Sequence, residues 1–112
     1  MKLIISDELV HSAVDYLAYH GDKAAVAKGH LVRAEYHRKR IRAQLILSAP
    51  HASLGMREAW AEAHDDYAEV CKKLALCEVA VETHRNRRSK SETICEMWRT
   101  EQATVRGLRK VA

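Results

Sequence analysis

Apolar positions recur along this chain at alternating intervals of four and three. Ala27, Leu31, Ala34, Ile41 and Leu45 form one such series, with Arg38 standing at the position the apolar residues skip. A second runs through Trp60, Ala63, Tyr67, Val70, Leu74, Cys77, Val81, His84, Arg88, Ser91, Cys95, Trp98, Gln102 and Val105. This spacing brings one side chain per turn to the same helix face, and it is the spacing with which two antiparallel helices interlock. Leu9, Ala13 and Leu17, with Val10 and Val14 beside them, predict a shorter first helix. Residues 1–5 are apolar and β-compatible but have no second strand to pair with, so they read as an extended arm.

The punctuation sets the boundaries. Ser6 and Asp7 are N-cap candidates for a first helix over about 7–20, and Gly21 is a left-handed stop. Asp22 then caps a second helix over about 23–48, within which Gly29 could permit close approach by a neighbour. Ala49-Pro50-His51-Ala52-Ser53 is a short reversal, because Pro50 lacks an amide hydrogen and disfavours helix at Ala49. Ser53 caps a third helix that meets neither Pro nor Gly between Met56 and Gly107, which predicts a single element over about 54–106, roughly 75 Å long. The second helix, at roughly 40 Å, covers only its first half. The apolar series turns polar at His84, Arg88 and Ser91, where that cover should run out. Either a continuous rod with a solvated middle or a bend near 86–91 would satisfy this. The fold class is thus all-α and coiled-coil-like: an antiparallel helical hairpin with a very long C-terminal helix, plus a short N-terminal helix, in a single domain over 1–112.

Beyond the second helix's reach, Ile94, Cys95, Trp98 and Val105 lie on one side of the long helix. A Trp in so polar a segment needs cover. These residues, with Arg99 and Gln102 at the rim, are therefore the expected homo-oligomer contact.

Composition supports helices and limits chemistry. The 112 residues include no Phe, one Pro and four Gly. Cys71, Cys77 and Cys95 read as free thiols in a reducing cytoplasm, and no apolar run is long enough for a signal core or membrane span. The sequence offers no CxxC or HxxxH for zinc, and its Glu-x-His pairs (Glu35/His37, Glu62/His64, Glu82/His84) point their ligands apart. Asp66/Glu69 and Glu62/Asp65 have the spacing of magnesium-binding carboxylate pairs, but the second helix offers only Glu35 opposite them. No metal, cofactor or enzymatic activity is implied.

Charge distribution gives the functional lead. Residues 1–49 carry eight Lys/Arg against five Asp/Glu, 50–80 three against six, and 81–112 eight against four. The two densest basic clusters are Arg33, His37, Arg38, Lys39, Arg40 and Arg42, beside Tyr36, and Arg85, Arg87, Arg88 and Lys90. They suit single-stranded DNA, with phosphates on the cations and a base on Tyr36. They equally suit pairing with the acidic segment 58–69 of another subunit. The readings are thus a DNA-binding protein or a purely protein-binding helical adaptor.

Ala43-Gln44-Leu45, Arg57-Glu58-Ala59 with Asp66-Tyr67, and Trp98-Arg99-Thr100-Glu101-Gln102-Ala103 together resemble a family of short helical proteins of tailed phages and prophages, mostly of unassigned function and often encoded near recombination genes. The likeness covers about residues 24–106. In helical layout and basic character, the chain also faintly resembles phage recombination mediators, which load a recombinase on single-stranded DNA as ring oligomers. The resemblance implies an accessory protein in the bacterial host cell with a recombination or replication protein as partner, to which the missing apolar run adds a cytoplasmic location without membrane association and the face around Trp98 adds a homo-oligomer.

Overall fold

The computed structural model describes residues 4–111; the first three residues of the expected arm lie outside them. Among the described residues the secondary structure is entirely helical: α1 (Asp7–Tyr19), α2 (Gly21–Ser48), α3 (Leu54–Ala63) and α4 (Asp65–Val111). The protein is all-α and coiled-coil-like, with a C-terminal helix of 47 residues. No described helix is long and apolar enough to cross a membrane.

Local chemistry accounts for each boundary. Ser6 Oγ accepts the N–H of Leu9 at 3.1 Å, and Ser53 Oγ that of Met56 at 3.3 Å, so both serines cap as their positions predict. Gly21 does not stop α1. No described glycine has positive φ; α1 ends at Tyr19 with His20 as its C-cap, and α2 starts at Gly21 with Asp22 inside its first turn. The reversal at 49–53 separates α2 from α3 as expected.

The expected single helix over 54–106 is instead divided at His64. Its backbone is extended (φ −72°, ψ 142°), and its ring lies 5.1 Å from that of Trp60. Nδ1 accepts the N–H of Asp66 at 3.0 Å, so the imidazole caps α4 with its unprotonated nitrogen, while Asp65 and Asp66 place negative charge in the first turn. From there α4 is helical through 86–91 and through Gly107. Asn, Ser and Gly weaken a helix interior without forbidding it.

Contacts gather the chain into two compact units: a hairpin unit, Ala25–Glu82, and a terminal unit, Met1–Ala24 with Thr83–Ala112. In the hairpin unit, Ala27 and Val70 are buried, and Leu31, Ala34, Ile41, Leu45, Tyr67, Leu74, Cys77 and Val81 half-buried, so both apolar series face inward. Ala63, beside the break, is exposed. Arg42 meets Glu62 at 3.0 Å, and Arg38 hydrogen-bonds Tyr67, which fixes the two arms of the hairpin antiparallel.

The terminal unit corrects the expectation that the distal half of α4 lacks cover within the chain. Segment 4–19 supplies it. Ile4 N–H donates to Glu101 Oε1 at 2.9 Å, and Ile5 N–H reaches both oxygens at 3.3 and 3.2 Å, so one carboxylate satisfies two backbone donors in a segment that bends here rather than running on as the expected extended arm. Ile5, Ala13, Ser91 and Cys95 are buried in this unit. Helix α1 turns Val10, Ala13, Tyr16 and Leu17 inward, leaving Leu9 and Val14 exposed, a rotation from the expected line. The polar stretch of α4 is matched by polar residues of α1: Tyr16 Oη donates to the His84 carbonyl at 3.2 Å and lies 3.4 Å from His84 Nδ1.

Candidate nucleic-acid interface

The eleven candidate contact residues divide into those spent inside the chain and those left facing solvent. Arg38 stands at the skipped position of the α2 series, half-buried, and its hydrogen bond with Tyr67 raises the guanidinium pKa above its already high ordinary value, against the opposing effect of burial. Arg42 is half-buried too; its Nε and Nη2 donate to Glu62 Oε1 at 3.2 and 3.0 Å, and Nη2 lies 4.0 Å from Glu58 Oε2. These two cations and the acids Glu58 and Glu62 hold the hairpin unit together. Arg33, Tyr36, His37, Lys39 and Arg40 remain exposed. Arg33, Tyr36, His37 and Arg40 fall at i, i+3, i+4 and i+7, on one flank of α2, whereas Lys39 lies off it.

The second cluster belongs to the terminal unit. Arg85, Arg87, Arg88 and Lys90 are all exposed, and Arg88 Nε pairs with Glu92 Oε1 at 3.2 Å one turn on. Arg87 and Lys90, three residues apart and so on one face, border a cleft of about 330 Å³ between α1 and α4. Tyr16, His20, Ser91 and Ile94 line it with them, as do Leu9, Ser12, Ala13 and Asp15. Its one carboxylate, Asp15, lies 3.7 Å from His20 Nε2. Among the described residues Arg87 and Lys90 have no ion-pair partner. Two unpaired cations, serine hydroxyls and an apolar floor can take the phosphate and an apolar part of a nucleotide. Tyr16, His20 and Ser91 were not foreseen as parts of a site. Ser91 had left a signal, because a small hydroxyl at an inward position of the series marks a polar contact; it is 7% exposed.

The expected oligomer contact fares unevenly. Cys95 is buried inside the terminal unit, and Ile94 is half-buried and borders the cleft. Trp98, Gln102 and Val105 are half-buried, and Arg99 is exposed. Among the described residues no group of three His, Cys, Asp or Glu could hold a metal ion.

Comparison with protein-family models, curated proteins and solved structures finds no match to this chain. The likeness to phage proteins therefore rests on the residues quoted for it.

Proposed function

We propose that this is a non-enzymatic accessory protein that binds single-stranded DNA through the cleft of the terminal unit, with Arg87 and Lys90 on the phosphates. The observation that carries the reading is the pairing pattern: Arg38, Arg42 and Arg88 have partners, whereas Arg87 and Lys90 share a cleft whose one carboxylate, Asp15, lies against His20 rather than against either of them. Sugar or base can rest on Leu9, Ile94 and the half-buried Tyr16. A phage or prophage setting and a recombination or replication partner come from the resemblance of residues 24–106 and belong to the same proposal.

Fluorescence anisotropy with a labelled single-stranded oligonucleotide tests it. Two phosphate contacts predict a loss of affinity of about sevenfold for a fourfold rise in salt, from a slope of about −0.7 per contact. Arg87→Glu with Lys90→Glu should remove most binding. No association at low salt refutes the proposal, and loss through Arg33→Glu with Arg40→Glu alone moves the site to α2.

A second reading, a protein-binding adaptor without nucleic acid, is favoured by a separate observation: oppositely charged, exposed faces on the two sides of the hairpin unit.

A further inference from the structure

The inward series of α2 accounts for one face of that helix. On the opposite face Val26, Gly29, Arg33, Tyr36, Arg40 and Leu47 also repeat in three-four register, and all are exposed, with Tyr36 at 70% and Leu47 at 78%. A helix that served only its own hairpin would carry polar residues on this outer face. The outer face of α4 has its own repeat, Asp65, Glu69, Lys72, Leu76 and Val79, also exposed, with Leu76 at 65% and Val79 at 64%. One face is basic with apolar ends. The other is acidic near its start and apolar beyond.

We propose that a second copy of this chain occupies the outer face of α2, presenting the outer face of its own α4, so that hairpin units pack side by side. The fold itself sets the level at which the faces meet. Within one chain Arg42 reaches Glu62 and Arg38 reaches Tyr67, so residues of α2 and of α3–α4 whose numbers sum to about 105 stand level, give or take one helical turn. A copy shifted sideways in the same orientation keeps that level. It brings Arg40 to Asp65 and Glu69, Tyr36 to Lys72, and Gly29 to Leu76 and Val79.

Each meeting has a physical basis. Glu58 and Glu62 are already engaged by Arg42, whereas Asp65, Glu69, Arg33 and Arg40 have no ion pair among the described residues. Lys72 can lie over the Tyr36 ring as a cation–π contact. A Cβ added at Gly29 would meet nothing within 4 Å, so the α2 backbone is open there to the large side chains Leu76 and Val79. Arg33 comes level with Lys72, a like charge, and is placed to turn its guanidinium aside and lay its aliphatic stem along Leu76, about one turn on. From Val26 to Leu47 the face runs about 32 Å. The contact is heterologous, each copy using α2 on one side and α4 on the other, so copies add in a row until a rotation closes a ring. This inference does not depend on the nucleic-acid reading, which uses the other unit.

Sedimentation equilibrium of the full chain at low salt provides the test. Wild-type protein should exceed its monomer mass of 12.7 kDa as concentration rises and return toward it with added salt. Arg40→Glu and Glu69→Arg, both at exposed positions, should each weaken self-association at least tenfold with unchanged helical circular dichroism. Mixed in equal amounts, the two variants should co-assemble in alternation, since positions 40 and 69 then carry opposite charges at every contact between unlike copies and like charges between like copies, with Asp65 unchanged throughout. Combined in one chain, the two changes restore the opposite pair at 40 and 69 and should recover part of the assembly that each single change loses. Leu76→Ser, a neutral change on the same face, should also weaken it. A wild-type monomer at every concentration, a double variant that stays monomeric, or assembly that ignores these changes but is lost with Trp98→Ala would overturn the proposal.

Discussion

Glu101 stabilises residues 4 and 5 in the way a partner strand otherwise would. Its carboxylate accepts both Ile4 and Ile5 N–H groups, and Ile5, the second of them, is buried. Glu101→Ala leaves those donors to water and loosens the segment that covers distal α4, at a cost of about 1 kcal/mol. The readout is Cys95, which is buried in the same unit, whereas Cys71 and Cys77 are half-buried in the hairpin unit. Native-state thiol labelling followed by mass spectrometry should find Cys95 the slowest of the three. In Glu101→Ala its rate should rise about fivefold, the factor that 1 kcal/mol of easier opening gives, with Cys71 and Cys77 unchanged. Equal acceleration of all three would mean that the carboxylate holds more than its own unit.

At the scale of elements, the inward series of α2 and α4 were legible because they depend on spacing alone: from Tyr67 to Val105 every member except Arg88 is at least half-buried. Two features were not. The break at His64 leaves no mark of Pro or Gly, since it depends on local side-chain contacts: the imidazole sits tilted against Trp60 and takes the Asp66 N–H that an uninterrupted helix would give to a carbonyl. The cover over distal α4 was invisible because it comes from α1, more than sixty residues away, and because Tyr16 and His84 meet through a hydrogen bond rather than an apolar match. The cap can be tested directly. His64→Ala should lower the unfolding free energy by about 1 kcal/mol, read by denaturation followed at 222 nm. His64→Asn, whose side-chain oxygen can accept the same N–H, should retain most of it. If alanine is as stable as histidine, the break is held by Trp60 or by α3 instead.

For the whole molecule, charge by segment told less than charge by partner. The residues 1–49 and 81–112 are both basic, yet Arg38, Arg42 and Arg88 are neutralised or bound at home, which leaves one exposed flank on α2 and one cleft beside α4. Sequence alone could identify both clusters but could not sort cations that hold the fold from cations that face outward, because the sorting depends on which carboxylates the antiparallel register brings near. With the cations sorted in this way, the two surfaces should act independently. A short oligonucleotide that fills a single cleft avoids the gain in apparent affinity that assembly confers on longer strands. With that probe, Arg40→Glu should lose self-association yet keep its single-strand affinity within about threefold, allowing for the weaker long-range field of one reversed charge. Arg87→Glu with Lys90→Glu should do the opposite, keeping the mass distribution and losing the DNA. Parallel sedimentation and anisotropy on the same samples would decide the matter. Loss of both properties in Arg40→Glu would make the α2 flank, with Tyr36 between Arg33 and Arg40, the place where strand and second copy compete, whereas loss of both in Arg87→Glu with Lys90→Glu would assign both to the cleft beside α4.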